Sequence, residues 1–173
     1  MARYIELRRH TDSDGDLLTE EGVRTALEIG RRLTGPYALL VSSGAQRATQ
    51  TLACLACVLS DPVGGGVIVE PGLRSEVEDR WRAAYRTAGS GELSALRDAD
   101  AELVREDSER LAAGLRRVLA RLPDGGRALA VGHSPTNEAA VFGLTGELVP
   151  PMAKGSGVLV VVDGDQTSVE PLP

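Results

Sequence analysis

The chain has 173 residues, 42% hydrophobic and 25% charged, a composition that excludes disordered, fibrous and repeat classes and suits one globular domain over residues 1–173. A formal net charge of −6 excludes general attraction to nucleic acid or anionic membrane, so anion binding has to come from locally clustered arginines. The five aromatic residues, Tyr4, Tyr37, Trp81, Tyr85 and Phe142, are too scattered for a base-stacking platform, and no stretch is long enough to span a bilayer.

In chain order, Met1 to Leu7 has neither the apolar core of a signal peptide nor the basic amphipathic run of a transit peptide, which predicts a cytoplasmic protein. Tyr4 to Leu7 reads as a first buried strand. Thr19 is placed to cap a helix to about Leu33, with Val23, Ala26, Leu27, Gly30 and Leu33 on one side and Arg24, Glu28, Arg31 and Arg32 on the other. A second strand over Ala38 to Val41 leads into a helix over Arg47 to Leu59. That helix carries Cys54 and Cys57 three residues apart within an apolar run, the setting of buried structural thiols and not of a redox pair.

After a surface turn at Asp61 to Gly66 comes a third strand, Val67 to Val69. Leu73 to Asp107 is dense in charge and carries Trp81 and Tyr85 four apart; it predicts a helical excursion that can serve as a lid. A helix over Glu102 to Leu122, a turn at Pro123 to Gly126, a strand over Ala128 to Val131, a helix over Asn137 to Leu144 and a strand over Val158 to Val162 complete the chain. Alternating strands and helices imply right-handed crossovers and a three-layer αβα sandwich around a mainly parallel sheet.

In such sheets ligands bind beyond the carboxyl ends of the strands. Arg8-Arg9-His10-Thr11 follows the first strand, Ser42 to Thr51 the second, and Gly132-His133-Ser134-Pro135 the fourth, so both histidines of the chain fall at strand ends. Guanidinium forks match the oxygens of a phosphoryl group in its loose transition state, and a neutral imidazole supplies an attacking nitrogen. Arginine charges nearby disfavour imidazolium, which keeps His10 nucleophilic near neutral pH.

These segments resemble the histidine phosphatase superfamily, the phosphoglycerate mutase-like group, over nearly the whole chain. Leu7 to His10 are similar to the family's strand ending in Arg-His; Leu18-Thr19-Glu20-Glu21-Gly22 to its Leu-Thr-x-x-Gly helix opening; Ser43 with Arg47-Ala48 and Gln50-Thr51 to its Ser-x-x-x-Arg-Ala-x-x-Thr segment; and Val131-Gly132-His133 to its second histidine motif. The resemblance implies that His10 becomes phosphorylated, that Arg9 and Arg47 bind the phosphate, and that His133 stabilises the transition state with help from the Ser134 backbone N–H. Thr11 stands where the family usually has glycine, and either narrows the pocket or offers its hydroxyl to the phosphate. The general acid implied by the family's Leu-x-Glu setting is assigned to Glu76, with Glu78 next.

The implied activity is hydrolysis of phosphomonoesters on a small metabolite, without cofactor or metal. Alternatives are a protein phosphohistidine phosphatase, which Gly132-His133-x-Pro135 and Lys154-Gly155 also resemble, a mutase-like phosphoryl transfer, and an inactive phosphate-binding protein. Asp12-x-Asp14-x-Asp16 fails as a calcium loop, with Leu17 and Val23 where glycine and glutamate are required. Gly132 to Thr136 fails as a serine-hydrolase elbow because Thr136 replaces glycine and no histidine follows Ser134. No Walker A pattern occurs.

Overall fold

A computed structural model describes residues 1–173. Its strands are β1 (Arg3–Arg9), β2 (Ser13–Asp14), β3 (Leu17–Leu18), β4 (Leu39–Ser42), β5 (Val67–Val69), β6 (Arg127–Gly132), β7 (Gly157–Asp163) and β8 (Gln166–Leu172). Its helices are α1 (Glu20–Arg32), α2 (Gln46–Cys57), α3 (Glu78–Ala88), α4 (Leu93–Ala99), α5 (Ala101–Arg121) and α6 (Thr136–Thr145), with a 3₁₀ turn at Pro71–Leu73. One sheet runs in the order β5-β4-β6-β1-β7-β8, parallel from β5 to β1 and antiparallel through β7 and β8. This is the expected αβα sandwich. No helix is long and apolar enough to cross a membrane.

The alternation of β1 explains the layering. Ile5 and Leu7 enter the larger core with Leu111, Leu115 and Leu96, while on the other face Leu40, Leu129 and Val131 pack with Leu52 and Leu55 of α2. Glu6, also buried, is compensated by Arg8 at 2.7 Å, by the Tyr37 hydroxyl at 2.7 Å and by Arg127. Helix α1 starts where the Thr19 hydroxyl accepts the N–H of Gly22 at 3.0 Å. Its buried stripe is Gly22, Ala26 and Gly30, and Val23, expected inside, is exposed. A Cβ on Gly22 would lie 2.0 Å from the Asp12 carbonyl oxygen, so glycine lets the loop after β1 cross the helix in contact.

One sequence expectation is corrected. Cys54 is half-buried and Cys57 exposed, both as free thiols, because α2 turns that face toward the surface. Strand β8, Gln166 to Leu172, is polar and contains Pro171, so it carries no apolar run; it is an edge strand held by its hairpin with β7.

The charged excursion is anchored from within. Trp81 is 3% exposed and packs in the larger core with Leu93 and Leu96. The buried Asp107 carboxylate of α5 accepts the Trp81 indole N–H at 2.6 Å and the Ser75 hydroxyl at 2.7 Å. Those two bonds fix the start of α3 beside the carboxyl ends of the strands.

Candidate active site

Parallel pairing of β1 with β6 and of β4 with β6 aligns Arg9 with Gly132 and Ser42 with Val131. The ladder continues one residue further, through His10 N–H to Gly132 C=O at 3.0 Å and Ser43 N–H to Val131 C=O at 3.1 Å. His10, Ser43 and His133 are thereby brought to one edge, with the two imidazole centroids 5.5 Å apart.

The tautomer of His10 follows from its partner. Only a protonated His10 Nδ1 can donate to the Thr11 carbonyl oxygen, 2.7 Å away, which leaves the lone pair on Nε2. Burial, then the charges of Arg47, Arg9 and Lys154, lower the His10 pKa against the opposing pull of the Thr11 bond. Nε2 of His133 lies 2.7 Å from Ser43 Oγ, which also accepts the Ala45 N–H at 3.4 Å. Of the two ring nitrogens of His133, Nε2 is thus engaged by Ser43, while Nδ1 is buried with no protein partner. Burial first, then Arg47, His10 and Arg74, hold the His133 pKa down at about 3. Asn137 fixes this turn by accepting the His133 N–H at 3.1 Å and donating to the Arg8 carbonyl at 3.1 Å.

Arg47 enters from the first turn of α2. Asp16 holds it, accepting from its Nη1 at 3.0 Å and from its backbone N–H at 3.2 Å, with Gln46 N–H at 3.2 Å on the other oxygen. Burial opposes ionisation of Asp16, but those N–H groups and the Arg47 charge together hold its carboxyl below its usual range. Arg9 donates Nη1 to the Met152 carbonyl at 2.9 Å, while its Nε is buried without a partner. Lys154 pairs with Asp12.

Beside His133 lies a polar cavity of about 120 Å³, lined among others by Arg47, Ser75, Glu78, Arg82 and Ser134. Of the two candidate acids, Glu78 lines this cavity and Glu76 does not. The Glu76 side chain is 80% exposed and pairs with Arg110 of α5 at 3.0 Å, whereas Glu78 faces the cavity and pairs with Arg74 at 2.7 Å and Arg82 at 3.6 Å. Thr11 does not line the cavity either. Its fully buried side chain turns toward Thr51, whose hydroxyl is 3.3 Å from that of Thr11 and accepts the Thr11 N–H at 3.1 Å, so it offers no hydroxyl to a ligand. The Ser134 hydroxyl likewise points back, donating to Glu138 at 2.5 Å, while the Ser134 N–H makes no hydrogen bond within the protein. Glu138 is buried, and burial raises its pKa.

Sequence reasoning missed Asp16 and Asn137, and it quoted Ser43 without a role; their partners lie across loops and carry no local signal. No group of three or more His, Cys, Asp or Glu side chains is gathered in a way that could hold a metal ion.

The chain matches no curated protein significantly. Among solved structures it resembles a phosphoglycerate mutase from Bacillus anthracis (19% identity, covering 99% of this chain and 92% of that one, TM-score 0.75). A phosphoserine phosphatase from Entamoeba histolytica, in complex with 3-phosphoglyceric acid, is similar at 16% identity, 99% and 97% coverage and TM-score 0.73. The protein histidine phosphatase SixA, complexed with tungstate, is similar at 20% identity, 99% and 96% coverage and TM-score 0.61. At these identities the likeness is one of fold. The family model for the histidine phosphatase superfamily, branch 1, matches residues 3–154, and the chain therefore belongs to that superfamily.

Proposed function

We propose that the chain hydrolyses phosphomonoesters through a phosphohistidine on His10. The observation that carries this reading is the Thr11 carbonyl bond to Nδ1, which leaves His10 Nε2 as a lone-pair nucleophile beside Arg47 and His133. In the first step a bond forms between Nε2 and phosphorus as the phosphorus–oxygen bond to the leaving group breaks. Arg9, Arg47, His133 and the Ser134 N–H bind the equatorial oxygens. The leaving oxygen takes its proton from Glu78. A phosphate dianion offers Arg74 and Arg82 a stronger partner than Glu78, freeing that carboxyl to carry the proton. Water then attacks phosphorus, the nitrogen–phosphorus bond breaks, Glu78 recovers a proton from that water and inorganic phosphate leaves.

A second reading, hydrolysis of phosphohistidine on a protein, is favoured by the pairing of Glu78 with two arginines, since an imidazole leaving group can arrive protonated and need no acid. Placement in the cytoplasm accords with the free thiols of Cys54 and Cys57.

The test is free-phosphate release across a metabolite panel and a phosphohistidine protein, with rapid acid-free quenching to trap the intermediate. Wild type should carry alkali-stable, acid-labile phosphate on His10, and His10→Ala should carry none and lose hydrolysis. Full activity in His10→Ala would falsify the mechanism. Isomerised product without free phosphate would replace it with a mutase, and phosphate binding without turnover with an inactive binding protein.

A further inference from the structure

The polar cavity beside His133 opens at Arg82, Ser134 and Pro135 into a groove of about 340 Å³ whose other walls are Trp81, Tyr85 and Arg86. Its contents are ordered along one face of α3. Glu78, Arg82, Tyr85 and Arg86 follow at helical spacings of four, three and one, so a ligand lying along the helix meets them in that order. Glu78 and Arg82 line the polar cavity; Arg86 lies two turns, about 12 Å of helix axis, beyond Glu78.

The chemistry of that wall is specific. Trp81 is locked by Asp107 and forms a fixed floor. Tyr85, on the same helix face, is 52% exposed, an aromatic ring placed on the surface beside the site. Arg82 is engaged by Asp79 at 2.9 Å and by Glu78. Arg80, on another face, is taken by Asp100 and Glu102. Arg86 alone among the arginines of α3 has no acidic partner. A fixed floor, an exposed ring and an uncompensated guanidinium fork suit a flat body that ends in an anion. The groove volume is near the low end for small-molecule sites and favours a compact ligand.

We infer that this groove receives the leaving group of a small phosphomonoester and selects one that is planar and carries a second anionic group, such as a carboxylate, bound by Arg86 and stacked against Tyr85. The inference rests on the phosphatase reading only for the position of the phosphate.

Benzylphosphonate and its 4-carboxy analogue, which bind without turnover, test the groove directly, and phenyl phosphate with its 4-carboxy analogue tests it in catalysis. Wild type should prefer the carboxylated member of each pair about tenfold. Arg86→Ala should collapse that ratio toward one, Arg86→Lys should keep part of it, and Arg105→Ala, on an exposed face of α5, should keep all of it. Tyr85→Ala should weaken both phosphonates alike. Equal binding of the two phosphonates by wild type, or a preference that survives Arg86→Ala, overturns the proposal. Selective phosphonate binding with no hydrolysis of either aryl phosphate would sink the phosphatase reading and leave the groove assignment standing.

Discussion

Replacing Asp107 by alanine should loosen the segment that carries Glu78 while leaving the sheet intact. The Asp107 carboxylate accepts Trp81 Nε1–H at 2.6 Å and Ser75 O–H at 2.7 Å, and all three residues are buried. A hydrogen bond to a charged acceptor contributes about 1.5–3 kcal/mol, and a donor left buried without a partner costs about 1–3 kcal/mol. Two donors are stranded, so a loss of about 3–5 kcal/mol follows, a large share of the stability of a domain this size. Asp107→Asn keeps one carbonyl acceptor and should lose about half as much. Trp81 is the only tryptophan, so its emission reports the anchor directly. Urea unfolding followed by fluorescence and by far-ultraviolet circular dichroism should show the fluorescence transition moving to lower urea ahead of the dichroism. Turnover should fall with the fluorescence change, because Glu78 lies between the two anchored residues in sequence. A stability loss below about 1 kcal/mol in Asp107→Ala, with coincident transitions, would refute the claim that these bonds hold the excursion in place.

Glu78→Gln should slow hydrolysis of an alkyl phosphate far more than of an aryl phosphate with a good leaving group, while Glu76→Gln behaves like wild type; the reverse pattern restores Glu76 as the acid. Arg47→Ala should lower kcat/KM roughly a hundredfold to a thousandfold, whereas Asp16→Ala, which removes a helix cap and a positioning contact, should cost about 1 kcal/mol in urea and only a modest part of the rate; equal losses would place Asp16 at the substrate. His133 has a folded pKa of about 3 against 6.5 for the free side chain, so the unfolded chain binds the proton first and stability falls as the pH drops from about 6.5 toward 3. The full window is worth at most about 4–5 kcal/mol. His133→Asn should flatten the pH dependence of unfolding there; an unchanged profile would show that His133 is not held neutral. The lowered pKa of His10 puts the acid limb of kcat/KM below 6.5, and a limb above that value would contradict a buried, arginine-flanked imidazole.

Much of the fold was legible because its signals are local. The apolar runs of β1, β4, β5, β6 and β7 and the helical periods of α1, α2, α5 and α6 each declare themselves within a few residues, and their alternation implies the parallel sheet. Strand β8 lacks such a run and exists because β7 offers it an edge. The placement of His10, Arg47 and His133 was legible for the same reason: each follows a strand whose carboxyl end has to lie at the mouth of the sheet.

The directions of side chains beyond those ends were decided only by the tertiary structure. Glu76 and Glu78 are two residues apart and chemically alike, yet Glu76 precedes α3 and reaches Arg110, 34 positions away, while Glu78 opens the helix with Arg74 and Arg82 one turn to either side. Thr11 finds Thr51 forty positions on, and Ser43 finds His133 ninety positions on. Each choice depends on which groups from distant elements surround the side chain after packing, since a buried donor or acceptor takes the partner that compensates its lost water. Residue types and their order along the chain thus determined which chemistry is available at the sheet edge, and packing determined which oxygen or nitrogen is left free to perform it.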